Sequence, residues 1–108
     1  MDDRLPAHLE VAGLVRRVNA EGGFAVVLRK GEHDAGTILV VTMENGGNLR
    51  VFERMPTLQG SRKWTAVKSQ DTDSKEQIDD YLERRSHQDG DLWIIELDIP
   101  QAERFIAA

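Results

Sequence analysis

Cysteine is absent from all 108 residues, which excludes disulfides, thiolate zinc sites and thiol catalysis. No apolar run approaches the roughly 20 residues that cross a bilayer. The opening "MDDRLPAHLE" is acidic and lacks the apolar stretch of a secretory signal. The expectation is a soluble cytoplasmic protein with no membrane association. An excess of basic residues is also missing. A net charge of −5 and a pI of about 5.1 argue against a general nucleic-acid binder, whose phosphate contacts need clustered Lys and Arg. There is no internal repeat or low-complexity segment. Three histidines are present, and none has a partner at a metalloprotease-type spacing such as HExxH.

What is present is an ordinary globular mix of 40% hydrophobic and 31% charged residues. The length suits a single domain over residues 1–108. Charge is uneven along it: residues 1–70 carry ten basic and eight acidic side chains, net +2, and residues 71–108 carry four and eleven, net −7. The simplest reading is two differently decorated faces of one fold.

Val11, Leu14, Val15 and Val18 recur at helical spacing behind Pro6, with Arg16, Arg17 and Asn19 off the stripe. This predicts an amphipathic helix ending near Gly22-Gly23, with Pro6 in its first turn. Gly13 inside it costs on the order of 1 kcal/mol relative to Ala unless something packs closely there. "FAVVLRK" and "TILVVTM" read as strands, the second apolar on both faces and therefore central. "ENGGN" is a hairpin signal, because Asn and Gly tolerate positive φ. It leads into "LRVFER", and after the loop "MPTLQGS" the stretch "RKWTAV" reads as a fourth strand. A second helix begins inside "SQDTDSKEQ", capped by Asp73 with Glu76 or by Ser74 with Gln77, and buries Ile78, Tyr81 and Leu82. "DLWIIELDI" puts Trp93, Ile95, Leu97 and Ile99 on one face of a last strand. "PQAERFIAA" finishes as one or two helical turns, with Asp98 near the N-cap and Pro100 near the first position. The predicted order is α-β-β-β-β-α-β-α: an α+β domain with a five-stranded, mainly antiparallel sheet and helices packed on it.

The stretches "LVRRVNAEGGFAVVLRKGEHDAGTILV" and "HQDGDLWIIELD" resemble a family of short alphaproteobacterial proteins, domain-of-unknown-function family fourteen-ninety-one. The likeness runs from Leu14 to Asp98. Its most specific parts are Arg16-Arg17, the loop from Arg29 to Gly36, and Asp91-Leu92-Trp93. The resemblance implies a small single-domain bacterial protein and carries over no catalytic residue or cofactor. The family loop reads Arg-Gly-Asp-x-Asp-Ala-Gly. Gly31, Asp34, Ala35 and Gly36 match it, Glu32 replaces an Asp, and His33 holds the variable position.

Glu32, His33 and Asp34 supply ligand types that zinc or manganese accept, but three consecutive residues rarely converge on one ion. A turn is the favoured reading, with Asp34 accepting hydrogen bonds from nearby amides and Gly36 relieving a positive φ. Arg16 and Arg17 on the helix and Arg29 at the end of the first strand form a second candidate, a basic rim for an anion or acidic partner. The third lies on the strand pair 49–54 and 62–67. If Arg54 opposes Arg62, then Phe52 opposes Trp64 on the face that carries Arg50, an aromatic pair rimmed by arginines. A slip of one residue would dissolve that arrangement.

The resulting expectation is a non-enzymatic binding or interaction module without cofactor. Its surface would be the arginine–aromatic face (Arg50, Phe52, Arg54, Trp64) or the rim of Arg16, Arg17 and Arg29. The partner would be another protein or, through an open sheet edge, a second copy. The alternatives are a small metal-dependent enzyme using Glu32, His33 and Asp34, and a nucleic-acid binder using the arginine–aromatic face.

Overall fold

The two most deeply buried strands sit side by side at the centre of the sheet. In the computed structural model, which describes residues 5–106, these are β2 (Ile38–Glu44) and β5 (Trp93–Asp98). They run side by side and parallel, Ile38 opposite Trp93 and Val40 opposite Ile95. β1 (Phe24–Arg29) flanks β5 antiparallel, while β3 (Gly47–Pro56) and β4 (Arg62–Ser69) continue from β2 as antiparallel hairpins. The sheet order is β1-β5-β2-β3-β4. Four of the five strands are consecutive in sequence, yet the last one inserts between the first two. The sheet is therefore mixed, with one parallel pair among antiparallel ones.

Helices cover both faces. α1 (Ala7–Ala20) buries Ala7, Val11, Leu14 and Val18 against Trp93, Ile95 and Leu97 of β5, with Ile38, Val40 and Phe52. α2 (Lys75–Gln88) buries Ile78 on the opposite face among Leu39, Val41, Leu49, Val51, Leu92 and Ile94, with Tyr81 and Leu82 half-buried. Its N-terminus uses the Ser74–Gln77 capping box, each residue satisfying the other's end amide. Arg85 forks onto Glu53 of β3 and bonds the Tyr81 hydroxyl. The Glu53 carboxylate holds the guanidinium proton even more tightly than usual, so the Arg85 side of this tie between helix and sheet stays charged. No helix among the described residues is long and apolar enough to cross a membrane.

Local chemistry explains most boundaries. Asn45 and Gly46, at φ 51° and 79°, make a two-residue turn between β2 and β3, the geometry that suits the twist of a hairpin. Asp98 accepts from the amides of both, at 2.8 and 3.0 Å. That role removes it from the C-terminal segment, which is a 3-10 helix (Ala102–Phe105) entered through Gln101 in a left-handed conformation. The expected cap at Asp98 and Pro100 is thus corrected. Ala107 and Ala108, at the end of that expected helix, and residues 1–4 of the acidic opening lie outside the described residues.

Gly13 meets nothing within 4 Å when a Cβ is placed on it, so its helix penalty has no packing reason. Gly13→Ala is expected to stabilise the fold by up to about 1 kcal/mol, measured as a higher urea midpoint at unchanged m-value.

Candidate functional site

The loop between β1 and β2 is built on two glycines that cannot carry a side chain. A Cβ on Gly31 would lie 2.1 Å from the Asp91 carbonyl oxygen, and one on Gly36 would lie 2.3 Å from the same atom and 2.8 Å from the Trp93 ring. Close approach to β5, and not positive φ, fixes glycine at both places, which corrects the expectation for Gly36. The Glu32 amide donates to the Asp91 carbonyl at 3.0 Å and the Trp93 indole donates to the Glu32 carbonyl at 2.6 Å. The Glu32 carboxylate accepts from the amides of Asp34 and Ala35. Glu32, not Asp34, is therefore the internal cap of the turn.

This loop also receives α1. The first-turn amides of Ala7 and His8 donate to the carbonyls of Asp34 and His33, both at 2.9 Å, which satisfies groups a helix start leaves without partners. His8 Nδ1 donates to the same His33 carbonyl, and His33 Nδ1 donates to the Asp34 carboxylate, both at 2.9 Å. The two imidazoles stack with centroids 3.5 Å apart and planes 19° from parallel. The cluster is thus His8, His33 and Asp34, with potential ligand atoms within 4.8 Å of one another. It replaces the expected Glu32, His33 and Asp34, because Glu32 is engaged with the turn amides. The stack is a poor chelate. An ion about 2.1 Å from both nitrogens would sit well out of each ring plane, where the in-plane lone pairs do not point. The positive end of α1 also faces the group.

The second region adjoins this loop, at the free end of β3 and β4, where Arg54 and Arg62 line a small cavity with Ala35 and Gly36. The register places Arg54 opposite Trp64, Phe52 opposite Ala66 and Pro56 opposite Arg62, with an irregularity between Val51 and Phe52. Phe52 and Trp64 share a face, as expected, but as diagonal neighbours and on the side that α1 covers. Phe52 is buried in the core and Trp64 packs against it half-buried, so the pair is not an exposed stacking platform. The reason is the apolar stripe of α1, which together with the 3-10 helix closes over most of this face. Arg54 lies 4.8 Å from the Trp64 ring centroid and bonds Glu10 of α1 at 2.8 Å. With both side chains about one-fifth exposed, this pair and the cation–π contact hold the indole in one place. Arg50 is spent on Glu103 and Asp71, at 2.9 and 3.4 Å.

What stays open is a cleft of about 660 Å³ between the hairpin end and the 3-10 helix. Phe52, Trp64 and Ile106 supply its apolar wall, Thr57, Gln59 and Ser61 its hairpin side, and Arg62, Lys63 and Glu103 its charged lining. The hairpin end is closed by Thr57 and Ser61, which share a 2.8 Å backbone bond, and Gly60 takes φ 83°. A smaller cavity of about 270 Å³ on the other side of Arg54 is lined by Pro6, Glu10 and residues 34–36.

The predicted rim of Arg16, Arg17 and Arg29 is not assembled. α1 runs antiparallel to β1, so the two helix arginines lie near the Phe24 end and Arg29 at the other. Arg17 donates to the Phe105 carbonyl and Arg29 to the Gly90 carbonyl, both at 3.3 Å, and Arg16 is exposed. Arg17 thus ties α1 to the 3-10 helix, and Arg29 ties the end of β1 to the turn after α2.

Sequence reasoning missed His8, Glu10, Glu103 and Ile106. Nothing in their local spacing marks them, since each enters its cluster through contacts dozens of residues away. Only the acid at Glu10 on the first turn of α1 carries a local signal, as a helix-start residue.

A family model described as "Protein of unknown function (DUF1491)" matches residues 5–107. A crystal structure of a DUF1491 family protein from Caulobacter crescentus CB15 is similar at a TM-score of 0.82 and 33% identity, over 94% of each chain. An NMR structure of a DUF1491 family protein from the same organism gives 0.80 and 31%, over 94% of this chain and 92% of that one. The solution structure of Atu0922 from A. tumefaciens gives 0.78 and 29%, over 95% of this chain and 92% of that one. No curated protein matches this chain.

Proposed function

The chain belongs to the DUF1491 family, whose members are described as proteins of unknown function, and from that premise we propose that it is a non-enzymatic interaction module. It grips an acidic segment of a partner protein, whose apolar anchor enters the cleft at the free end of β3 and β4. The observation that carries this reading is the pairing of an apolar wall, Phe52, Trp64 and Ile106, with Arg62 and Lys63 in one open cleft of about 660 Å³. Aromatic pockets flanked by arginine are the usual anchors of protein interfaces. The volume lies within the range of binding sites.

Three further features support the reading. Trp64 is positioned in advance by Arg54 and Glu10, so little ordering accompanies binding. Leu58 at the hairpin tip is fully exposed, extending apolar surface beyond the cleft toward a longer partner. Arg62 and Lys63 are exposed cations on a chain of net charge −5, which makes this end attractive to an acid and the rest of the surface less so. Of the residues expected from sequence, Phe52 and Trp64 line this site, Arg54 holds Trp64 from outside it, and Arg50 bonds Glu103 of the lining. We place the module in the cytoplasm, in keeping with its cysteine-free composition.

A titration of ¹⁵N-labelled protein with an acidic peptide carrying a single phenylalanine tests this. The Trp64 indole and the Ile106 amide are expected to shift saturably. Arg62→Glu combined with Lys63→Glu is expected to weaken binding at least about tenfold, without loss of the folded spectrum. Shifts that are absent at millimolar peptide, or confined to the far edge of the sheet, would overturn the assignment.

A further inference from the structure

We propose that the small cavity between Arg54, Arg62 and the start of β2 is a carboxylate subsite, separate from the apolar cleft and adjoining it through Arg62. The cavity has a volume of about 80 Å³ and is lined by Ala35, Gly36, Thr37, Ile38, Arg54 and Arg62. A water needs about 10–15 Å³ of such space, so there is room for several, and hence for one carboxylate group. Register explains why the two arginines converge. Arg54 pairs with Trp64 and Pro56 with Arg62, so Arg54 and Arg62 are diagonal neighbours on one face of the hairpin. The loop closes the third side, held there by the close approach of Gly36 to Asp91. The amides of Gly36 and Thr37 donate to no group among the described residues.

The local charges identify the occupant. No acidic residue lines the cavity. Arg54 is bonded to Glu10 at 2.8 Å and lies over the Trp64 ring; Glu10 and Asp34 line the larger cavity on its other side. The Asp34 carboxylate accepts from His33, and Glu103, the acid of the adjoining cleft, is bonded to Arg50. Arg62 forms no ion pair among the described residues, and its hydrogen bond goes to the Arg54 carbonyl at 3.4 Å. The charge left uncompensated is that of Arg62, with Arg54 fixed beside it as a second guanidinium. One net charge and planar donors suit a carboxylate. A phosphate dianion would bring a second negative charge toward Glu10 and Asp34 without a further cation. Arg62 lines this cavity and the cleft alike. Resting on the interaction reading above, this narrows the partner to one with an acidic residue directly beside its apolar anchor, the carboxylate between Arg54 and Arg62 and the anchor against Trp64.

Acetate, inorganic phosphate and chloride, each titrated into ¹⁵N-labelled protein at matched ionic strength, test the subsite without a partner. The Nε–H signals of Arg54 and Arg62 and the Gly36 and Thr37 amides are expected to shift saturably with acetate, and less with phosphate. Arg62→Gln should weaken acetate binding at least about fivefold with the folded spectrum kept. Lys63→Gln, outside the cavity lining, should change it less than about twofold. An equal response to chloride, tighter binding of phosphate than of acetate, or unaltered acetate affinity in Arg62→Gln overturns the subsite. Two phenylalanine peptides of equal charge, with aspartates flanking the ring residue or four residues away from it, test the link to the cleft. The first is expected to bind at least about fivefold more tightly, and equal affinities overturn the adjacency. Acetate binding with no peptide binding would keep the subsite and remove the interaction reading. Peptide binding with no acetate response would do the reverse.

Discussion

Gly31→Ala is expected to destabilise the protein by about 3 kcal/mol, the upper part of the overpacking range, and to lower the melting temperature by roughly 10–20 °C for a domain of this size. The added methyl would sit 2.1 Å from the Asp91 carbonyl oxygen, 2.6 Å from the Leu92 carbonyl carbon and 2.7 Å from the Trp93 ring. Two of these are backbone atoms just ahead of a central strand, so no rotamer change relieves the contact. Moving the loop away instead disturbs two hydrogen bonds, from the Glu32 amide to Asp91 and from the Trp93 indole to Glu32. A buried group left without its partner adds about 1–3 kcal/mol. The same displacement loosens α1, whose first-turn amides of Ala7 and His8 end on carbonyls of this loop. Gly90→Ala, where a Cβ meets nothing within 4 Å, is the matched control and should stay within about 0.5 kcal/mol. Thermal denaturation of both variants decides it, and equal melting would mean that the loop does not rest on β5.

Ile78→Ala is expected to cost a similar amount, about 3 kcal/mol within the range for large-to-small core changes, but with a different signature. Ile78 is the one fully buried side chain of α2, and it closes the core on that face of the sheet. Tyr81 and Leu82 are only half-buried, and the Arg85–Glu53 pair is polar and partly solvated. Without Ile78, α2 keeps its capping box and its ion pair yet loses most of its apolar hold. Hydrogen exchange should therefore show α2 amides losing protection well before those of β2 and β5, as a sub-global opening. Uniform loss across the domain would instead make α2 part of a single cooperative unit. Leu82→Ala, at a half-buried position, should show a smaller effect in both measurements.

Both predictions lie outside the proposed cleft, and this separation is physically useful. Arg62, Lys63 and Leu58 are exposed, so their substitution changes charge or apolar surface without opening a cavity. Phe52 is buried, so its truncation would mix lost binding with lost stability. The interaction reading is therefore best tested at the rim, and the fold at the glycines and the α2 anchor.

The sequence by itself determined the features that short-range chemistry controls. The spacing of Val11, Leu14, Val15 and Val18 set the buried face of α1. Apolar residues on both faces marked β2 as central, and Asn45-Gly46 formed the hairpin turn that positive φ requires. Trp93, Ile95, Leu97 and Ile99 fell on one face because a strand alternates. The α+β class and the element order follow from these. Tertiary structure alone decided which strands are neighbours, because β5 enters between β1 and β2 by contacts some sixty residues apart. That insertion leaves β1 at an edge with Phe24 and Val26 bare. It also puts the Asp91 carbonyl against Gly31 and Gly36, so that close approach rather than turn geometry explains the glycines. The irregularity at Val51 and Phe52 set Trp64 opposite Arg54, and α1 then covered Phe52. His33, prominent beside Glu32 and Asp34 in the sequence, became a stacking partner of His8 only when the helix start docked on the loop. Periodicity and turn chemistry act over a few residues, whereas register, edges and clefts depend on which distant segments compete for the same surface.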